Sequence, residues 1–267
     1  MGILNSDLPF TGSIKGLTAY KMRGSDKIVL RAKGGATQKQ IQKLAAFEPT
    51  RNLNEEWKGV TAAALRIRVG LSALKTLADY NISGPLNALV KKIQTMDTVN
   101  PKGKRSIQFS LYPDLISSFS YNRQTLFDSI IRQPLTVNID KTTGIIDVVV
   151  PALQQSINFF SDPRNVYFRF ILACASLSDY TFRNEGKHYR TVIGIGLPGY
   201  KAEFSPWMPT NIQQSAANYQ LLPSDPKLLN PNMVLVFGAG IQYGKLAPDS
   251  TIQPVPYAGA ARILKVL

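Results

Sequence analysis

Few residues in this chain could carry chemistry. His188 is the single histidine and Cys174 the single cysteine. A metal cluster needs several ligands at regular spacing, and a Cys–His pair needs both partners together in space. Cys174 lies inside the apolar run Phe168–Ala175 and reads as a small core residue. His188, beside Lys187 and Tyr189 in a charged run, reads as an exposed turn residue. Gly194-Ile-Gly196-Leu-Pro-Gly199 matches the letters of a dinucleotide fingerprint. That fingerprint needs its third glycine to open a helix whose N-terminus meets a pyrophosphate. Pro198 and the strand-like Tyr200–Phe204 stand there instead, with no βαβ unit around them. Gly238-Ala-Gly240 sits in an apolar strand and reads as a pair of glycines admitting a close neighbour or a bulge. Asp140 and Asp147 belong to a hairpin and lack the marks of paired glycosidase carboxylates. The reading is non-enzymatic, with no catalytic, cofactor-binding or metal residues and no cofactor.

Charge is more informative. The chain of 267 residues carries a net charge of +14 and a pI near 9.9. Residues 1–45 hold eight Lys/Arg against two Asp/Glu, the densest excess in the sequence. Such a chain is drawn to polyanions or acidic partners. Basic residues interleaved with aromatics occur at Tyr20-Lys21-Met22-Arg23 and Tyr167-Phe168-Arg169-Phe170. In the second run Phe168 and Phe170 share a strand face and read as core, leaving Tyr167 and Arg169 as a platform.

The elements that must position these residues follow from periodicity. Residues 1–35 read as a basic β-hairpin arm, with strands over Ser13–Met22 and Lys27–Lys33 and a turn at Arg23–Asp26. Alternation places Lys15, Lys21, Arg23, Lys27, Arg31 and Lys33 on one face, a basic ladder. Ile14, Tyr20, Met22, Ile28, Leu30 and Ala32 take the other. Residues 36–100 read as helical. Thr37 caps a short helix over Gln38–Ala46. From Glu48 the apolar residues step four, three, four, three through Leu53, Trp57, Val60, Ala64, Ile67, Leu71, Leu74 and Ala78. The pattern resumes after Ser83-Gly84-Pro85 at Leu86, Leu89, Ile93 and Met96, which makes a helical hairpin with Ser83 as second N-cap. Glu55 and Glu56 fall in the first turn of a helix capped by Thr50 or Asn52, where the dipole favours negative charge. Gly59 and Gly70 mark a close crossing or a kink.

Pro101-Lys102-Gly103-Lys104-Arg105 reads as a basic linker and boundary. Residues 101–267 then read as an antiparallel β-sandwich. Its strands are Ser106–Leu111, Ile116–Tyr121, Leu135–Ile139, Ile145–Val150, Val166–Ser176, Thr191–Leu197, Met233–Gln242 and Ala261–Val266. A long proline-rich loop occupies Pro198–Pro231. The fold class is α+β. No apolar run approaches a membrane span, and Met1–Tyr20 has no secretory apolar core, so a cytoplasmic location is expected, free or within a larger particle.

Several stretches resemble a family of uncharacterised Bacteroidota proteins with no assigned activity. They are Gly12-Ser-Ile-Lys-Gly-Leu-Thr-Ala-Tyr-Lys, Ile28-Val-Leu-Arg31 with Lys33-Gly34-Gly35, and Phe47–Trp57. Ser118–Asn122 and the segments Val137–Asp140 and Val148–Pro151 add to the likeness. Leu53 and Trp57 depart from the family's block, and both suit helix packing. The resemblance implies a bacterial or phage-associated intracellular origin and supplies no site residues.

A projecting arm and a continuous apolar seam are devices for subunit packing. The expected function is a structural or assembly subunit of a homo-oligomer, filament or particle, with Trp57, Val60, Ile67, Leu71 and Leu74 as interface residues. The alternative is nucleic-acid binding through the basic ladder and Lys102, Lys104 and Arg105. The arrangement would make affinity fall steeply with salt.

Overall fold

The computed structural model describes residues 2–3, 10–22, 27–32, 34–186, 188–193, 199–223 and 230–267. The expected turn at Arg23–Asp26, Lys33, and the glycine run up to Pro198 lie outside them. The chain divides into two compact units, Met1–Arg51 and Asn52–Leu267. Among the described residues no helix is long and apolar enough to cross a membrane.

The first unit holds an antiparallel sheet of β1 (Gly2–Ile3), β2 (Gly12–Ile14), β3 (Leu17–Lys21) and β4 (Ile28–Ala32), in the order β1-β4-β3-β2. The expected single strand over Ser13–Met22 is broken. Lys15 (φ 43°) and Gly16 (φ 84°) make a two-residue turn with positive φ at both positions. Such a turn matches the strand twist, and glycine enters it without strain. Lys21 pairs with Ile28 and Ala19 with Leu30. This register puts odd positions of β3 opposite even positions of β4. The one-faced basic ladder does not form: Lys21 shares a face with Ile28 and Leu30, while Arg31 shares the other with Thr18 and Tyr20. Ala19 and Val29 are buried on opposite faces, and Ile14 and Met22, expected inside, are exposed.

Thr37 caps α1 (Gln38–Lys43) as expected, in a capping box closed by Gln40. The helix stops at Lys43 because a 3₁₀ turn follows at Ala45–Phe47, and Arg51 Nη1 donates to the Ile41 and Leu44 carbonyls (2.6 and 2.8 Å).

α2 (Glu48–Gly70) starts earlier than the sequence suggested, so Thr50 and Asn52 lie inside it rather than capping it. It breaks at Leu71 (φ −109°, ψ 31°), directly after Gly70, and continues as α3 (Ser72–Lys75). α4 (Ser83–Thr95) follows; Ser83 is its first residue rather than its cap, and the Asn81 side chain accepts from the Ser83 N–H.

Two strands expected after the basic segment are absent. Over 106–121 the chain makes only isolated bridges, Ile107 to Tyr180 and Ser120 to Arg262, around the short α5 (Pro113–Ile116). Pro113 opens that turn and Ser118 takes φ 78°, both incompatible with a continuous ladder. The apolar alternation there is real, but it points Ile107, Phe109, Phe119 and Tyr121 into the core without strand pairing.

After α6 (Phe127–Ile130), β5 (Thr136–Ile139), β6 (Ile146–Val150) and β12 (Ala217–Leu221) form one sheet, β12-β6-β5. β7 (Tyr167–Ser178), β10 (Tyr200–Phe204), β13 (Met233–Leu246) and β14 (Ile252–Val266) form the main sheet, β10-β7-β13-β14, with β11 (Met208–Pro209) also on β7. A separate hairpin pairs β8 (Tyr180–Arg183) with β9 (His188–Thr191). All pairs are antiparallel, and the fold is α+β. The segment expected as a long loop, Pro198–Pro231, holds β10, β11 and β12, because its prolines fall at strand ends and between strands.

The main sheet is buried on both faces, which is why β7 and β13 read as unbroken apolar runs. Ile171, Ala173, Ala175, Leu177, Val234 and Val236 join Val60, Ile67, Leu71, Leu74 and Leu86 in one apolar cluster. Phe168, Phe170, Leu172, Phe237 and Ile241 join Ile146, Val148, Val150 and Leu221 in the second. The expected core role of Phe168 and Phe170 is met. Gly238 and Gly240 do receive close neighbours: a Cβ there would meet Leu74 Cδ1 at 2.6 Å and Leu77 Cδ1 at 2.5 Å. Gly240→Val is expected to destabilise the fold by about 2 kcal/mol, through overpacking against Leu77. Urea unfolding checks it, and an unchanged midpoint would show that the helix side gives way freely.

Candidate functional site

The feature with the clearest outward chemistry is the outer face of α2, and an inward ionic cluster holds it in place. Glu56 is fully buried. Arg105 grips it with two parallel bonds, Nε to Oε1 and Nη2 to Oε2, both 2.7 Å. Lys91 Nζ donates to Oε2 at 2.6 Å and the Gly103 N–H to Oε1 at 2.8 Å. Gln94 extends the cluster by donating to the Arg105 carbonyl (3.1 Å) and accepting from Lys91 (2.8 Å). Burial alone would raise the Glu56 pKa, but the bonds from Arg105, Lys91 and Gly103 outweigh it and hold the carboxyl at about 2. The cluster ties α2, α4 and Pro101–Arg105 together. Glu56 is thus no first-turn dipole partner, since α2 begins two turns earlier. Next to it, Tyr189 lays its ring against Gly59, where a Cβ would come within 2.5 Å, and its hydroxyl donates to the Arg105 carbonyl at 2.9 Å.

With Glu56 turned inward, the following residue turns outward. Leu53, Trp57 and Leu65 are 51%, 47% and 50% exposed. They lie on an i, i+4 row completed by Thr61, a ridge along one side of the helix. Of the five interface residues read from the sequence, only Trp57 lies on this surface. Val60, Ile67, Leu71 and Leu74 are buried in the chain's own core. The seam and the exposed ridge start from the same residues, Leu53 and Trp57, and spacing alone could not separate them.

Within the first unit the basic candidates are divided between the two sheet faces. Lys15 lies in the tight turn, Lys21 and Arg31 on opposite sheet faces, and Lys27 just before β4; Arg23 and Lys33 are outside the described residues. Lys102 is exposed, and Lys104 Nζ lies 5.8 Å from the Phe182 ring centre. Arg105 is committed to Glu56.

The other reactive groups are held in structural contacts. The Cys174 thiol is buried and its pKa is pushed up to about 12 by that burial. His188 is a half-buried strand residue rather than a turn residue, accepting from Arg190. Asp179, whose pKa burial raises, accepts from the Ser110 N–H (3.0 Å) and hydroxyl. Asp140 closes the β5–β6 turn by accepting from Thr142 N and Thr143 Oγ1 (2.8 and 2.7 Å). Among the described residues no three His, Cys, Asp or Glu side chains are grouped to hold a metal.

Compared with protein-family models, curated proteins and solved structures, the chain matches none.

Proposed function

We propose that the protein is a non-enzymatic structural or assembly subunit that associates with copies of itself, and that the outer face of α2 is the contact. We read the α+β fold as a basic N-terminal arm, a helical hairpin and a C-terminal sandwich. The observation that carries the reading is the Leu53–Trp57–Leu65 ridge. Three large apolar side chains, each about half exposed on one rigid helix side, form a patch of the kind that marks interaction surfaces. Tryptophan at its centre is a residue type enriched where interfaces concentrate their energy. The Glu56 cluster, on the buried side of the same helix, keeps the ridge preorganised, which lowers the ordering cost of association. The resemblance to proteins without an assigned activity fits the same reading, as does a location in the cytoplasm or a particle.

Sedimentation velocity at micromolar concentration tests it. The wild type is expected to associate, and Trp57→Glu combined with Leu65→Glu is expected to be a folded monomer. A wild type that stays monomeric throughout the concentration range overturns the proposal.

The nucleic-acid alternative keeps the net charge of +14 as its support. Against it, the register of β3 and β4 puts Lys21 and Arg31 on opposite faces of their sheet, and Arg105 is taken up by Glu56.

A further inference from the structure

We propose that Arg169 is the centre of a carboxylate-binding site in the second unit. Arg169 lies on β7, directly across the ladder from Gln242 on β13. Its guanidinium stacks on two aromatic rings, with Cζ 4.8 Å from the Phe204 centroid and 4.4 Å from that of Trp207. Nε and Nη2 both donate to Gln242 Oε1, at 2.9 and 2.7 Å. Trp207 is itself seated on Gly244, where a Cβ would come within 2.7 Å of its ring. Two rings and one amide therefore fix the plane of the guanidinium.

These bonds use only its side edge. The end edge, Nη1 with the second N–H of Nη2, bonds to nothing among the described residues, and Arg169 as a whole is partly exposed. Two parallel N–H groups on that edge match the two oxygens of a carboxylate. Charge points the same way. Arg105 is matched to Glu56, whereas Arg169 has no acidic partner among the described residues. Burial correspondingly lowers its pKa. Phosphate sites gather several cations or a row of backbone N–H donors. A single stacked guanidinium with one amide suits a monovalent, planar anion. Phe204, about half exposed, offers apolar surface to the ligand's body. Small organic acids and sugar acids share this chemistry. The site is independent of the α2 ridge.

The two tryptophans of the chain give the experiment its reporter and its control. Titration with sodium acetate or sodium glucuronate, against matched sodium chloride, is followed through the two indole N–H resonances. The Trp207 signal is expected to move saturably while that of Trp57 stays. Arg169→Lys keeps the charge, loses the fork, and is expected to weaken binding at least about tenfold. Gln242→Glu places a carboxylate on Arg169 within the chain, and is expected to abolish binding while the protein stays folded. Tighter binding of glucuronate assigns a sugar acid, and equal binding a small organic acid. A Trp207 response no different from that in chloride, or undiminished binding by the Gln242→Glu variant, overturns the proposal.

Discussion

Glu56→Gln is expected to destabilise the fold by about 3 kcal/mol, among the largest effects of any near-isosteric change in the chain. Glutamine keeps the shape of the side chain but leaves Arg105 and Lys91 facing a neutral amide, and Arg105 is nearly buried. Breaking a buried pair by removing one charge costs about 3–5 kcal/mol. The lower figure applies because Lys91 keeps partial access to water. For a unit of this size the loss corresponds to a fall of roughly 6–12 °C in Tm. The pH dependence has a definite sign. The folded pKa of about 2 lies below the ordinary 4.5. The ionised form therefore stabilises the fold fully above pH 4.5, and its contribution fades as pH falls through about 2. Thermal melts of both proteins from neutral to acidic pH check this. The two curves should converge at the acid end. Curves that run parallel, or a Tm that does not move at neutral pH, refute the role given to Glu56.

Leu71→Asp is expected to unfold the protein. Leu71 is 1% exposed and sits where α2 breaks, inside the cluster shared by the helices and the main sheet. Losing its methyl groups costs about 3–5 kcal/mol, and a buried unpaired carboxylate adds more. Together these approach the whole stability of an ordinary domain, about 5–15 kcal/mol. Far-ultraviolet circular dichroism and a urea titration would report the loss. A well-folded variant that no longer associates would instead mean that Leu71 faces another copy. Trp57 is expected to behave differently. Both occupy the same 3.6-residue pattern, yet truncating Trp57 should spare the fold.

Much of the helical core was legible because periodicity is local. From Val60 to Leu74 the apolar spacing predicts burial correctly, and β7, β13 and the Asp140 turn are similarly plain. What failed depended on pairing. Whether Lys21 and Arg31 share a face is decided by the pairing register, which sets odd positions of one strand against even positions of the other. The alternation over 106–121 was real, but Pro113 and the left-handed Ser118 stop it from becoming strands. Glu56 gave the weakest local signal. Its partners Lys91 and Arg105 lie 35 and 49 residues away. Nothing at position 56 distinguishes it from Glu55, which meets exposed Lys58 instead. Arg169 was partly legible: alternation separated it from Phe168 and Phe170, but not its stacking on Phe204 and Trp207.

The two glycines of β13 have a consequence for correct assembly of the chain. Because β13 is apolar on both sides, its composition barely discriminates between its native setting and one slipped by a single residue, which would exchange the sides. Only the native setting turns Gly238 and Gly240 towards Leu74 and Leu77. A slipped strand would present Phe237 and Ala239 there and collide with the leucines. The missing side chains thus act as error checking, admitting one alignment of strand and helix and rejecting its neighbours.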